Sequence, residues 1–252
     1  MSLILLLSAV TIVFLGSILQ SAAGFAFGMF AIPLLILSGF SAYEAIAIIS
    51  VCGTVQTIMG LYALRQHIQL KSAITVAATA ALFLPPGVLL LSRIQLLEPM
   101  RIRQLFGVIV LAALLVQMIW RIKPRTYLHP AWGVVAGSLS GFMSGMSGMG
   151  GPPLVIWVMS HTWSTERTKA TLWLIFTILT PIQIIMLYLR FGTLAFIAAG
   201  TGLALAPVVL LGMIPGMWLG KQIGKPLLRR ISYIILLLIS VYAIVQPYIN
   251  IS

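Results

Sequence analysis

Two short stretches of this chain combine residue types able to hold a ligand. The first runs "QSAAGFAFG", Gln20 to Gly28, and the second runs "SGMSGMGGPP", Ser144 to Pro153. The second packs Gly145, Gly148, Gly150 and Gly151, two serines (Ser144 and Ser147) and a proline pair into ten residues. Glycine weakens a helix through lost entropy, and proline removes a backbone donor. In hydrocarbon each freed backbone group costs several kcal/mol, so an open backbone there must line a cavity or be buried in protein. Free N–H groups ahead of a helix start attract an anion, helped by the helix dipole and by the nest that a glycine-rich turn forms. Gln20 and Ser21 beside Gly24 and Gly28, and Ser144 and Ser147 beside their glycines, add neutral side-chain donors. This chemistry suits a small anion held without a fixed charge inside the membrane.

Further polar residues fall into register with these stretches. Ser50, Thr54 and Thr57 share a helical face at i, i+4 and i+7, with Gln56 beside it, and Thr177, Thr180 and Gln183 are their counterparts near a helix-disrupting Pro181. Glu44, Glu166 and His161 are the candidates for proton coupling, a histidine titrating near neutral pH. For each of the three, a place at the membrane interface is the plainer alternative. Arg190, alone between two apolar stretches, either draws anions to an outer mouth or snorkels at a helix end. "GMSG" (Gly145–Gly148) also fits a G-x-S-G nucleophile pattern, with Ser147 attacking and His161 as base. A proline-started segment separates the two, which makes an intramembrane serine protease the weaker reading. One cysteine, Cys52, gives neither a disulfide nor a metal-site pattern, and there is no nucleotide-binding loop; no cofactor or metal is expected.

The elements that carry these residues follow from composition. Hydrophobic residues make up 61% of 252 and charged residues 7%, with a mean hydropathy of +1.13, where a soluble domain carries about a quarter charged residues. Uncharged gaps such as Ala45–Leu64, Ser72–Ser92, Gln104–Trp120 and Ala170–Leu189 are close to the roughly 20 residues of a bilayer-spanning helix. The chain reads as an all-α polytopic membrane protein, so the net charge of +12 reports topology rather than nucleic-acid binding. Leu3–Gln20 lacks a positive leader and reads as a retained span rather than a signal peptide. Trp120, Trp132, Trp163 and Trp218 flank basic loops as an aromatic belt, while Trp157 is placed to touch substrate, or else lipid or a neighbouring helix.

The two halves, 1–125 and 126–252, echo each other. "GSILQSAAGFAFGMFAIPLL" (Gly16–Leu35) aligns with "GSLSGFMSGMSGMGGPPLV" (Gly137–Val155), pairing Gly24 with Gly145, Gly28 with Gly148 and Pro33 with Pro153. Ser50–Met59 aligns with Thr177–Met186, pairing Gln56 with Gln183, and "LPPGVLL" (Leu84–Leu90) aligns with "IPGMWLG" (Ile214–Gly220). Each half then holds five segments, for about 8–10 membrane segments in all. These are about Leu3–Gln20, Phe25–Leu37, Ala45–Leu64, Ser72–Leu91 and Gln104–Trp120, then Ala131–Ser144, Pro153–Ser160, Ala170–Leu189, Leu194–Gly220 and Ile231–Val245. If the first two segments of each half return the chain to its starting side, one face collects Arg65, Lys71, Arg121, Lys123, Arg125, Arg167, Lys169, Lys221, Lys225, Arg229 and Arg230. The other face receives Arg93, Arg101, Arg103 and Arg190, a split of 11 against 4. That assignment makes the basic face cytoplasmic, puts both termini outside, and inverts one half relative to the other, an arrangement common in secondary transporters.

These duplicated glycine-rich stretches, "SAAGFAFGMFAIPLL" and "GSLSGFMSGMSGMGGPPL", one opening each half of the chain, resemble the TauE/SafE sulfite exporter family, also called the toluene-sulfonate uptake permease family. The first copy is the poorer in glycine, with Phe25, Phe27 and Met29 between Gly24, Gly28 and Pro33. The resemblance implies transport of sulfite, a sulfonate or a related organosulfur anion across the bacterial inner membrane. The expected partners are therefore the lipid bilayer and a small anion, with H+ or Na+ as coupling ion. Export or uptake, carrier or passive anion channel, and monomer or homodimer stay open at this point.

Overall fold

The computed structural model describes residues 3–24, 26–119, 124–223 and 225–249; Phe25, Trp120, Arg121 and Lys123 lie outside the described residues. The chain is an all-α polytopic membrane protein. Its helices are α1 (Leu3–Ala23), α2 (Phe27–Ser38), α3 (Ala42–Ala63), α4 (Leu70–Ile94), α5 (Pro99–Ile119), α6 (Pro130–Ser147), α7 (Gly151–Met159), α8 (Thr165–Phe191), α9 (Thr193–Ala204), α10 (Ala206–Gln222) and α11 (Lys225–Ile249). Five of them, α1, α3, α4, α5 and α8, are long and apolar enough to cross a bilayer singly. The pair α9–α10 passes the same test only when taken together and is bent by 47°, as a broken span or a re-entrant loop is. Sequence periodicity treats that stretch as one segment, but Pro207, in the first turn of α10, has no N–H to continue the ladder across the bend. Elsewhere proline does not break the helix: α8 runs through Pro181, against the expectation of a disruption there, and α4 runs through Pro85 and Pro86. Packed neighbours accommodate such prolines in membrane helices.

The exterior is apolar, with Leu82, Leu189, Phe196 and Leu238 all exposed, as a lipid-facing surface requires. Close helix crossings replace a water-driven core. Gly137, Gly141 and Gly145 form a small-residue stripe on α6 that presses against α4, where a Cβ on Gly137 would lie 2.6 Å from the Val76 carbonyl oxygen. α1 meets α10 in the same way at Gly212, where a Cβ would lie 2.7 Å from the Phe14 oxygen.

At the centre α3 and α8 pack antiparallel. The Thr177 hydroxyl donates to Thr57 Oγ1 at 3.0 Å, and Tyr43 near the start of α3 stacks on Phe191 at the end of α8, with centroids 4.8 Å apart. Around this pair, α3 also contacts α9 while α8 contacts α4, and α5 packs on α11. α1 packs on α2, and α6 on α7.

Candidate functional site where two helix breaks meet

The chain interrupts its helices at two places, residues 24–26 between α1 and α2 and residues 148–150 between α6 and α7. Each break opens on a glycine in the left-handed region, Gly24 at φ +88° and Gly148 at φ +71°. Each of these glycines donates its N–H back to a carbonyl four residues earlier, Gly24 to Gln20 at 2.7 Å and Gly148 to Ser144 at 2.8 Å. That geometry is a helix C-terminal αL cap, which glycine adopts without a Cβ penalty. In backbone geometry Gly24 thus resembles Gly148, and Gln20 resembles Ser144, whereas identity alone aligns Gly24 with Gly145. The glycines of α6 serve two purposes, a packing stripe and a break, and matching letters cannot separate them.

The two breaks touch. A Cβ on Gly28 would lie 2.9 Å from the carbonyl oxygen of Gly148. Between them lies a cavity of about 90 Å³ walled by both breaks and by the facing sides of α3 and α8. That is room for a species of a few heavy atoms. Eight residues expected in the site do line it: Gln20, Gly28, Ser144, Gly148, Gly150, Gly151, Thr180 and Gln183. Ser50, Gly53, Thr57 and Phe176 join them, and among the described residues no lining residue is charged.

The polar groups on this wall are only partly committed. The Phe27 N–H donates to Gln20 Oε1 at 3.2 Å, which leaves the Gln20 amide NH2 without a protein acceptor among the described residues. The Ser144 hydroxyl likewise has none, while its carbonyl accepts from Gln183 Nε2 at 2.9 Å. Ser140 donates to the Gly150 carbonyl at 2.7 Å and so fixes the second break from behind. Among the described residues the N–H groups of Met149, Gly150 and Gly151 donate to no backbone carbonyl, and Pro152 and Pro153 have none to offer. Donors thus gather at one spot ahead of α7, as anion binding at a helix start requires.

The remaining expected site residues are elsewhere. Gly145 belongs to the α4 contact, and Gly24 is the hinge of the first break rather than a wall. Gln56, fully buried, donates from Nε2 to the Ser17 carbonyl at 2.9 Å and to Ser21 Oγ at 2.8 Å, so Gln56 and Ser21 tie α3 to α1. The Thr54 hydroxyl returns to the Ser50 carbonyl within α3. Ser147 is buried and donates to the Met143 carbonyl at 2.8 Å, a helix back-bond that leaves it unlike an activated nucleophile.

Glu44 closes a capping box at the start of α3, its carboxylate accepting from the Ser41 N–H at 2.9 Å and hydroxyl at 2.7 Å. Glu166 is exposed in the first turn of α8, where its charge complements the helix dipole. His161 stacks on Trp163 with centroids 4.0 Å apart, and its Nδ1 lies 2.9 Å from the Trp157 carbonyl. Burial pushes this imidazole below the usual histidine range, and the bond to Trp157 partly offsets the shift. Trp157 lines a second, apolar cavity of about 720 Å³ between α5, α6 and α7, not the polar one.

Two residues next to the first break escaped the sequence reading. Lys169 donates from Nζ to the carbonyls of Ser21 at 3.3 Å and Ala22 at 3.2 Å, and Trp173 donates from its indole to the Gly24 carbonyl at 3.2 Å. The signal was present: Lys169, Trp173, Phe176, Thr180 and Gln183 follow one face of α8. Reading every charge as a loop residue concealed it.

The fold and this site define a class: a helical membrane protein in which two helix breaks enclose a small, uncharged, donor-rich cavity. The family model described as Sulfite exporter TauE/SafE matches residues 9–243, and the chain belongs to that family of membrane transporters. Neither a curated protein nor a solved structure matches the chain significantly.

Proposed function

We propose that the chain is a secondary transporter that binds a small sulfur anion, sulfite or a sulfonate, between its two helix breaks. The observation that carries this reading is one cavity lined by both breaks and by Gln20, Ser144 and Met149–Gly151, whose donors are uncommitted among the described residues. Neutral donors suit an oxyanion that must also leave, since a fixed opposing charge at this depth would be costly when the site is empty.

Alternating access proceeds by the first half, residues 1–125, rocking against the second, residues 126–252, as inverted repeats. Supporting the inversion, the equivalent helices α3 and α8 run antiparallel, and the partners exchange correctly: α1 packs on α10 as α6 packs on α4. The basic face is cytoplasmic in this scheme and the membrane is the inner one.

Thermal-shift titration of the purified protein tests the binding step, with sulfite, sulfate, thiosulfate, taurine and a carboxylate control. A ligand that binds only the folded state must raise the midpoint with concentration. Stabilisation by one sulfur anion, lost in Ser144→Ala, is the expected result. Equal stabilisation of wild type and Ser144→Ala would place the anion elsewhere. In liposomes, accelerated exchange by trans anion supports a carrier, and flux indifferent to trans anion would instead mean a channel.

A further inference from the structure

The two breaks have similar backbones but different guards. At the second break the left-handed Gly148 is covered by aliphatic side chains; a Cβ there would meet Ile46 at 3.0 Å and also Ile32. At the first break Lys169 and Trp173 take that role. A Cβ on Gly24 would lie 3.1 Å from the Lys169 methylenes, the ammonium holds the Ser21 and Ala22 carbonyls, and the indole holds that of Gly24. Among the described residues, Lys169 is the one charged side chain hydrogen-bonded to the last turn of the helix ahead of either break.

Position along α8 gives these contacts a direction. From the N-terminal end of α8 inward come half-buried Lys169, then buried Trp173, then Phe176 and Thr180 on the cavity wall. Trp173 also fills the space beside Gly60 on α3, so its ring stands between that end of the helix pair and the cavity. An anion approaching the cavity from that end therefore meets a cation, then an indole, then neutral donors. From the other end it meets Ile46 and Ile32.

We propose that Lys169 and Trp173 form the gate on the α8 N-terminal side of the cavity, and that the Lys169 ammonium admits the anion there. In the closed arrangement the ammonium is satisfied by partial negative charge, the last carbonyls of α1. An entering anion exchanges with those carbonyls, the ammonium swings onto it, and the release of Ser21 and Ala22 frees the hinge at Gly24. The charge then stays at the gate while the anion moves on to neutral donors. This inference rests on the transport reading above and adds the side of entry and the residue that selects for negative charge.

The test uses sulfite flux into liposomes carrying the full chain, with Cys52→Ala as background because Cys52 is the sole cysteine. Lys169→Met is expected to cut sulfite flux at least tenfold, and Lys169→Arg to keep it within about threefold of wild type. Lys169→Cys is assayed before and after labelling, so that one folded preparation serves as its own control. Alkylation with 2-bromoethylamine, which restores an ammonium through a thioether that sulfite does not cleave, should recover flux, and alkylation with 2-bromoethanesulfonate should not. Sulfite-induced thermal stabilisation should persist in Lys169→Met, because the cavity donors are untouched. Flux in Lys169→Met equal to wild type, or equal recovery by both labels, overturns the gate while leaving the transporter reading intact. Absence in wild type of both flux and stabilisation with sulfite, thiosulfate and taurine alike overturns the transporter reading, and the gate with it.

Discussion

Gly28 is the place where the meeting of the two breaks can be tested most directly. It sits one residue into α2 with an ordinary φ, so replacing it with alanine brings no backbone strain, only a methyl group 2.9 Å from the Gly148 carbonyl oxygen. Gly200 in α9 is the control: a Cβ there meets nothing within 4 Å. Glycine to alanine in a helix gains about 0.5–1 kcal/mol from backbone entropy, and this term is roughly common to both sites. Forcing a methyl into a filled contact costs about 1–3 kcal/mol. Gly200→Ala should therefore be stabilised by up to about 1 kcal/mol, and Gly28→Ala should fall about 1–3 kcal/mol below it. Reversible unfolding in mixed micelles reads that gap. Sulfite titration on the same samples reads its consequence, because any relief of the clash pushes the breaks apart and displaces the Met149–Gly151 donors. A loss of about 1.4 kcal/mol in binding is tenfold in Kd. Should Gly28→Ala unfold within about 0.5 kcal/mol of Gly200→Ala, the smallest effect this substitution should produce has not appeared, and the breaks do not touch as described.

Other outcomes follow from the same geometry. Gln20→Ala and Ser144→Ala should each abolish anion stabilisation, whereas Ser147→Ala, whose hydroxyl only back-bonds its own helix, should retain it; loss in Ser147→Ala would move the site. Gly141→Leu forces a side chain into the Ala80 backbone and should abolish folding, which detergent gel filtration would report as loss of the monodisperse peak. Glu44→Ala removes a capping box and should cost about 1 kcal/mol of stability while leaving the pH profile of transport unchanged. A shifted profile would restore Glu44 as a coupling carboxylate. The His161 pKa is depressed in the folded state, so its contribution to stability is complete above the unfolded value of about 6.5 and is lost as pH falls through the folded value. His161→Gln should flatten the fall of melting temperature on the acid side, and an unchanged slope would show that another group titrates.

The helices and breaks were legible in the sequence because each rests on local chemistry. Uncharged gaps near bilayer length give spans whatever their neighbours, and glycine with proline marks where a helix opens. The breaks at residues 24–26 and 148–150 fall inside the stretches that the glycines marked. Roles within those stretches were not legible. Gly145 and Gly148 are three residues apart in one run, yet one packs against α4 and the other turns the chain. Gln56 and Gln183 align in the sequence, yet Gln183 lines the cavity while Gln56 ties two helices together behind it. The serine of a G-x-S-G pattern spends its hydroxyl on its own helix, and a lysine counted with the loops holds the first break.

Sequence by itself determined the solvent: a chain 61% hydrophobic and 7% charged must place its helices in lipid and hide its few polar groups. Tertiary structure alone decided which polar groups share a cavity and which merely fasten one helix to another. The physical reason is that a helix fixes the face of each side chain but not what that face meets. Gln20 and Ser144 become neighbours only because α3 and α8 cross between the halves and bring the two breaks together.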